Sequence, residues 1–340
     1  MVEDISQWCE ALDGQKNRSP RLLICHPATL RHQKYIFPRR FLRGYTVPTY
    51  RKPWFYFLLV IGIWSIAKPV FGQALVPHTL QLDSVQLEQQ GVNLAQEAAQ
   101  LAQFQQYEVA LSRARLATQL APKNYQAWFL LGGLYLQTEQ ADKGVAALEK
   151  ARSLKPDEPA ILFALGSAHF QQEKYEQAIA VLQEGLKLKP DAPEALFDLG
   201  NAYYKLNKFS EAIAQYQKAV EKDAKFWPAI NNIGLIKYEQ GDVQGAIRQW
   251  QAALAVEKDA AEPKLAIAVA LYNKGDREQG LAMGESALQS DDRYADIEFL
   301  KENLWGDRLL KDTQKLLETP RIRSTLAQTQ SQPEREQSKP

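Results

Sequence analysis

Cysteine is scarce in this 340-residue chain. The two cysteines, Cys9 and Cys25, lie near its start, and none follows residue 74. A disulfide framework, a zinc knuckle and a thiol nucleophile are therefore excluded from the larger part of the chain. The chain has four histidines, and it contains no glycine-rich phosphate loop, no histidine pair at ligand spacing and no nucleophile elbow. We therefore expect no enzyme, no cofactor and no metal site.

Acidic residues are missing from one long stretch. Residues 14–52 contain ten Lys or Arg and no Asp or Glu, although the net charge of the whole chain is only +1. After residue 74 the balance reverses, with 30 basic and 36 acidic residues. A general nucleic-acid binder would carry a basic surface, so this mildly acidic part argues against nucleic acid as a partner.

A short apolar run follows the basic stretch. The run WFYFLLVIGIWSIA, residues 54–67, carries no charge, and Lys68 ends it before the roughly 20 residues that a spanning helix prefers. With small residues at Gly72 and Ala74, residues 54–74 are typical of an export signal. A retained membrane anchor is the alternative. Both interpretations keep the basic residues 1–53 in the cytoplasm and place residue 75 onward on the periplasmic or thylakoid-lumen side.

One amphipathic pattern recurs every 34 residues. The stretch YQAWFLLGGLYL at residue 125 is followed by PAILFALGSAHF at 159, PEALFDLGNAYY at 193 and WPAINNIGLIKY at 227. A weaker copy begins at 261, and an earlier unit can be numbered from 91. Counting positions from the start of each unit, position eight is always small: Ala98, Gly132, Gly166, Gly200, Gly234 and Ala268.

The spacing within each unit predicts two amphipathic helices joined by a turn near the middle. Glycine inside a helix costs about 1 kcal/mol, so its recurrence at one position indicates helices in close contact. Pro122, Pro156 and Pro190 stand at position thirty-two, where proline ends the second helix.

This pattern resembles the tetratricopeptide repeat. The second unit carries the family signature with only Gly144 differing, at Trp128, Leu131, Gly132, Tyr135, Leu148, Ala151 and Pro156. The fourth unit carries it at Leu196, Leu199, Gly200, Tyr203, Ala212, Tyr216 and Ala219. The outer units match less well, as expected for repeats that meet solvent on one side.

The resemblance implies an all-α, right-handed superhelical solenoid of about six helix-turn-helix units. The units span 91–124, 125–158, 159–192, 193–226, 227–260 and 261–294. A linker is expected over residues 75–90, a capping helix over 295–320 and a disordered tail over 321–340.

The resemblance also implies a concave groove that is lined by the first helices and binds a protein or peptide segment. Aromatic residues recur at positions five and twelve, with amides nearby. The predicted partner-binding residues are Phe129, Phe163, Phe170, Phe197, Asn201, Tyr204, Asn231, Asn232, Tyr238 and Tyr272. We expect the aromatic residues to anchor an apolar segment and the amides to pair with its backbone. The alternative is that several of the aromatic residues pack between neighbouring helices.

The groove lacks the cations with which some members of this family hold a C-terminal carboxylate. Asn201 and Asn232 match two places of that motif, but Phe197, Glu262 and Ala266 stand where Lys or Arg is required. Without those cations a carboxylate keeps its water, so no carboxylate clamp is expected.

These features predict a non-catalytic scaffold or assembly factor that acts outside the cytoplasm, for a membrane complex of the photosynthetic or envelope type. The N-terminal segment would contact the membrane if it stays uncleaved. The alternative is the substrate-adaptor region of an envelope enzyme or regulator, and a lytic glycosidase would need two converging carboxylates. Asp198, at position six, is the inner-face acid that the pattern identifies, and His169 is expected to be a neutral core residue.

Overall fold

The computed structural model describes residues 83–331, and the predictions for residues 1–82 and 332–340 lie outside this part. Residues 84–331 belong to one compact unit. They form fifteen α-helices, one 3-10 helix and no strand, which confirms the all-α prediction. The paired helices are α1 (Ser84–Gln103), α2 (Tyr107–Leu120), α3 (Tyr125–Gln137), α4 (Ala141–Leu154), α5 (Pro159–Gln171), α6 (Tyr175–Leu188), α7 (Pro193–Lys205), α8 (Phe209–Lys222), α9 (Trp227–Glu239), α10 (Val243–Val256), α11 (Ala261–Lys274) and α12 (Arg277–Ser290).

In the second to sixth units the first helix begins where the repeat numbering places it. Helices α3, α5, α7, α9 and α11 all start at position one. Pro159 and Pro193 stand at the start of their helices, where the missing amide hydrogen costs no hydrogen bond. The side chain of Asn124 caps α3 by accepting a hydrogen bond from the N–H of Ala127.

The first unit begins earlier than predicted. Helix α1 starts at Ser84, so the linker prediction was wrong for residues 84–90. These residues include Gln, Leu and Glu, which favour helix and extend the first helix away from Gly91 toward the N-terminus.

A large side chain of the second helix packs over the small residue at position eight. A Cβ atom added at Gly132 would lie 2.6 Å from Leu148 Cγ, and one at Gly234 would lie 2.4 Å from Trp250 Nε1. The same contact joins Gly166 to Leu182 and Gly200 to Tyr216. These four large residues all stand at position twenty-four and are fully buried. The recurring glycines therefore set the distance between the two helices of a unit.

The turns between paired helices share one backbone conformation. Position fifteen has positive φ in all six units: Gln105, Glu139, Glu173, Asn207, Gly241 and Gly275. The following N–H bonds to a carbonyl five residues back, as from Gln140 N to Tyr135 O at 2.8 Å, which is the hydrogen bond of a Schellman motif. Since every turn closes in this way, the relation between the two helices repeats from unit to unit.

The C-terminal part is longer and more ordered than predicted. After the 3-10 helix (Asp292–Ala295) come α13 (Ile297–Glu302), α14 (Asp307–Leu317) and α15 (Pro320–Ser331). The prediction of a disordered tail was wrong for residues 321–331. Ile322 is fully buried, and Arg321 forms ion pairs with Glu278 and Glu285 of α12. Helix α15 therefore covers the second helix of the last unit.

Within residues 83–331, none of the helices combines the length and the apolar character needed to cross a membrane.

Two adjacent glycines provide a test of this packing. We expect Gly132→Ala to lower the free energy of unfolding, because its Cβ would overlap the buried Leu148 side chain. We expect Gly133→Ala to raise it by about 0.5–1 kcal/mol, because no atom lies within 4 Å of the added Cβ and alanine favours helix. Urea unfolding of both variants measures the difference. Equal effects of the two substitutions would contradict the close helix contact.

Candidate functional site

The residues that could meet a partner lie on the first helices of the units. We call the residues at positions two, five, six, nine, twelve and thirteen of these helices the inner face. The structure divides this face into two parts. In the fifth and sixth units it is covered by residues 297–317 of the same chain: α14 contacts α9 and α11, and Leu300, Leu304 and Trp305 are buried in the same core cluster.

Polar contacts hold residues 297–317, which we call the C-terminal segment, on the inner face. The indole Nε1 of Trp305 donates a hydrogen bond of 3.0 Å to Glu262 Oε1, and both residues are buried. The carboxylate of Glu239 accepts hydrogen bonds from the backbone N–H groups of Arg308 and Leu309 at 3.1 and 2.9 Å. These groups form the start of α14, where an acidic side chain compensates free N–H groups and the helix dipole.

The same segment contributes a large part of the core. Leu300, Leu304, Leu309, Leu310 and Leu316 are buried together with residues of α9, α10, α11 and α12. The Tyr238 hydroxyl donates a hydrogen bond of 2.7 Å to Asp312 Oδ2, and the Arg308 guanidinium lies 5.3 Å from the centre of the Tyr238 ring. The C-terminal segment is therefore a built-in occupant of this part of the inner face.

The predicted aromatic residues at position twelve are packed to different degrees. Tyr238 is 2% exposed beneath α14, so it is not available to an external partner. Tyr204 and Tyr272 are partly buried against the same core cluster. Burial, together with the negative charges of Glu239 and Asp307, raises the pKa of the Tyr204 hydroxyl. The ring of Phe170 packs edge-on against Tyr175 at 5.2 Å.

At position five, one of the predicted anchors is a core residue. Phe197 is 4% exposed and packs against Tyr216 and Phe226, with ring centres 5.6 and 5.4 Å apart. The prediction that Phe197 lines an accessible groove was wrong, because the Phe226 ring from the loop before α9 packs on it. Phe129 and Phe163 are partly buried, and the Phe163 ring lies over Gly185 of the paired helix.

The three predicted asparagines form a buried network rather than an exposed amide row. Asn201 is fully buried, and its Oδ1 accepts hydrogen bonds from the Tyr216 hydroxyl at 2.7 Å and from Asn232 Nδ2 at 3.1 Å. Asn231 Nδ2 donates to Asn232 Oδ1 at 3.2 Å. The prediction that these amides pair with a partner backbone was wrong, because they bond to one another. The two asparagines that match the carboxylate-clamp motif are among those engaged here.

This network leads to a buried acid. The Asn231 side chain also bonds to Glu262, which stands at position two of the sixth unit and pairs with Trp305. Burial raises the pKa of Glu262 to about 7, although the hydrogen bonds from Trp305 and Asn231 act in the opposite direction. A polar chain thus connects the fourth unit to the C-terminal segment.

A second buried acid lies on the part of the inner face that the C-terminal segment does not cover. Asp198 is 6% exposed, and its Oδ2 accepts a hydrogen bond of 3.0 Å from Ser167 Oγ. Burial raises the pKa of Asp198 to about 7, the Ser167 hydrogen bond opposes this, and the nearby Glu194 carboxylate adds to it. Glu194 and Glu262 share position two. Sequence reasoning missed both as inner-face acids, although their common position in the repeat was the available signal.

His169 behaves as a packed side chain. It is partly buried, and within the described residues its Nδ1 is buried without a hydrogen-bond partner. Burial lowers the pKa of its imidazole, which favours the neutral form. Among residues 83–331, His, Cys, Asp and Glu form no group of three that could hold a metal ion.

The second, third and fourth units carry the part of the inner face that α13 and α14 leave uncovered. We call this part the open inner face and define it by Phe129, Gly133, Phe163, Ser167, Glu194 and Asp198. Gly133 is exposed, and a Cβ added there would meet no atom within 4 Å. The open inner face therefore carries partly buried rings and an exposed glycine in its second and third units and two carboxylates in its fourth, where Asp198 bonds to Ser167 of the third unit.

Family models match the repeats along most of the described chain. The model described as TPR repeat matches residues 166–207 and 200–241, and the one described as Tetratricopeptide repeat matches 231–295. A model described as Anaphase-promoting complex, cyclosome, subunit 3 matches residues 103–185. The protein therefore carries tetratricopeptide repeats, which confirms the resemblance seen in its sequence.

Several solved structures are similar to this chain. The APC/C hetero-tetramer Cut9-Hcn1 is 17% identical with a TM-score of 0.53, and the match covers 68% of this chain and 46% of that chain. MamA is 23% identical over 47% of this chain and 94% of its own, with a TM-score of 0.44. YrrB, described as a TPR protein with an unusual peptide-binding site, is 21% identical over 51% and 89%, with a TM-score of 0.43. A search of curated proteins found no match. The likeness to the Cut9-Hcn1 structure shows a helical solenoid fold alone, and at 17% identity it indicates no particular partner.

The buried acid beneath the C-terminal segment predicts a pH-dependent stability. The pKa of Glu262 is higher in the folded protein, so the wild type loses stability as the pH rises from about 4.5 to about 7. Glutamine at this position cannot ionise, keeps an acceptor for Trp305 and offers a donor to Asn231, whose Oδ1 has no partner among the described residues. We expect Glu262→Gln to be more stable than the wild type at pH 8, by up to about 3 kcal/mol, and to lose this advantage at pH 5.

Urea unfolding at the two pH values measures the effect. Glu221→Gln removes an exposed carboxylate from α8 and serves as the control. An advantage of Glu262→Gln that is the same at pH 5 and pH 8 would contradict the raised pKa.

Proposed function

We propose that this protein is a non-catalytic scaffold or assembly factor that binds a segment of a partner protein on the open inner face. The observation that carries the proposal is the C-terminal segment itself. In the fifth and sixth units the inner face already binds a helix through buried leucines, an indole and two acidic side chains. The same face continues into the second to fourth units with no described helix upon it, so it suits a second occupant.

The chemistry of the open inner face indicates how such a segment would bind. The Phe129 and Phe163 rings are apolar contacts for partner side chains, and the space above Gly133 lets a partner backbone come close to α3. The buried asparagines cannot contribute, because their hydrogen bonds are internal. Polar recognition therefore depends on Ser167, Glu194 and Asp198.

The N-terminal sequence supports a place of action outside the cytoplasm. The basic stretch and the apolar run at residues 54–67 support export, or anchoring, with the repeats on the periplasmic or thylakoid-lumen side. A partner within a photosynthetic or envelope membrane complex fits this location. The net acidic charge after residue 74 argues against nucleic acid.

Gly133 offers a test that blocks the open inner face without removing any core atom. We expect Gly133→Gln to lower partner binding by about tenfold or more, because the new side chain occupies space that the partner needs. The melting temperature should stay the same or rise by a few degrees, since Gln favours helix over Gly. Quantitative cross-linking in native membranes, followed by identification of the linked protein, measures binding.

Ala180→Gln is the matched control, because it adds the same side chain to the exposed surface of α6, a second helix. Unchanged cross-linking of Gly133→Gln, with the fold intact, would contradict binding at this face.

The proposed export of the repeats can be tested directly. We expect N-terminal sequencing of the mature protein to begin near Leu75, and the repeats to be digested by a protease added on the non-cytoplasmic side of an intact membrane. Full-length chain that is extracted only by detergent would indicate the retained anchor. Digestion from the cytoplasmic side alone would contradict export.

A further inference from the structure

The acidic residue that binds Trp305 of the C-terminal segment has an equivalent two repeats earlier. Glu262, at position two of the sixth unit, accepts a hydrogen bond of 3.0 Å from Trp305 of the segment on the inner face. Glu194 stands at position two of the fourth unit, 68 residues or two periods earlier. Because the helix geometry repeats, Glu194 occupies the equivalent place on the open inner face. A segment there would meet Glu194 as Trp305 meets Glu262.

The open inner face carries a second carboxylate beside the first. Glu194 and Asp198 lie one turn apart on α7, and the charge of Glu194 acts on Asp198. Like charges four residues apart on a helix repel each other. Among the described residues, no Lys, Arg or His forms an ion pair with either acid, and Ser167 provides the one hydrogen bond to Asp198. The pair therefore lacks a counter-charge within residues 83–331.

We propose that the open inner face recognises a partner segment in which a Lys or Arg lies between apolar residues, with the basic group against Glu194 and Asp198 and the apolar side chains against Phe129 and Phe163. This inference rests on the proposed function and names the class of partner. The continuity with the fifth and sixth units, which hold the C-terminal segment, supports a chain segment as the occupant, and the charge of the two acids favours a basic residue in it.

A basic side chain fits this place better than a neutral donor. At Glu262 a single buried acid meets a neutral indole, and no second carboxylate needs to be compensated. At Glu194 and Asp198 a neutral donor would leave the charge of Glu194, and that of Asp198 when it ionises, without compensation, whereas a cation attracts both. A guanidinium or ammonium group also donates several hydrogen bonds, enough for both carboxylates. An acidic segment would add a third negative charge and is disfavoured.

A random peptide library displayed on phage tests this inference with a defined probe. Peptides of about 16 residues, long enough to cross three units, are selected on the purified full-length protein and, in parallel, on the double variant Glu194→Gln with Asp198→Asn. Both substitutions keep the side-chain shape, and the asparagine that replaces Asp198 retains an acceptor for Ser167. The control variant Glu211→Gln with Glu221→Gln removes two exposed carboxylates from α8, in the same unit. Melting curves confirm that all variants are folded.

We expect peptides selected on the wild type to be enriched in Lys or Arg flanked by apolar residues. Their binding should weaken by about tenfold or more on the double variant and remain unchanged on the control variant. Peptides that are blocked by Gly133→Gln but show no basic enrichment, and bind the double variant equally, would overturn this inference and leave the proposed function intact. A library without binders, or with binders insensitive to Gly133→Gln, would contradict both.

Discussion

The close contact between position eight and position twenty-four is the constraint on which the rest of the structure depends. Glycine at position eight lets the large side chain at position twenty-four of the paired helix lie directly over the backbone, as Trp250 does over Gly234. This contact fixes how the two helices of a unit face each other. Because it recurs in four consecutive units, positions two, five, six and nine lie on the same side of each, and the inner face is continuous.

Acidic residues on the inner face determine which part of it the C-terminal segment covers. Glu239 binds the start of α14, and Glu262 binds Trp305, so the fifth and sixth units hold the C-terminal segment. In the fourth unit the residue equivalent to Glu239 is Lys205, which would repel the positive end of a helix dipole. The reversal of charge at position thirteen between neighbouring repeats thus favours an end of the covered part near Tyr204.

The repeat pattern predicted the first helices, and from the second unit onward their starting residues, because each depends on contacts within one unit or between neighbours. It did not predict that Phe197 is in the core or that Asn201 and Asn232 bond to each other. Those outcomes depend on Phe226 and Tyr216, whose positions in the folded chain follow from the packing of whole units. The docking of Trp305 on Glu262 spans 43 residues. Helix α15 packs through Ile322 and Leu326 and pairs Arg321 with α12, and these few contacts lie in a mostly polar stretch of sequence.

The central claim is that the C-terminal segment permanently occupies the inner face of the last two units and leaves the second to fourth units to a partner. Amide hydrogen exchange of the full-length protein tests it most directly. The account predicts that the amides of residues 308–317 in α14, including those of Arg308 and Leu309 that bond to Glu239, exchange as slowly as the amides of α11. Exchange of this segment as fast as that of an exposed chain end would show that the face is unoccupied and would contradict the account.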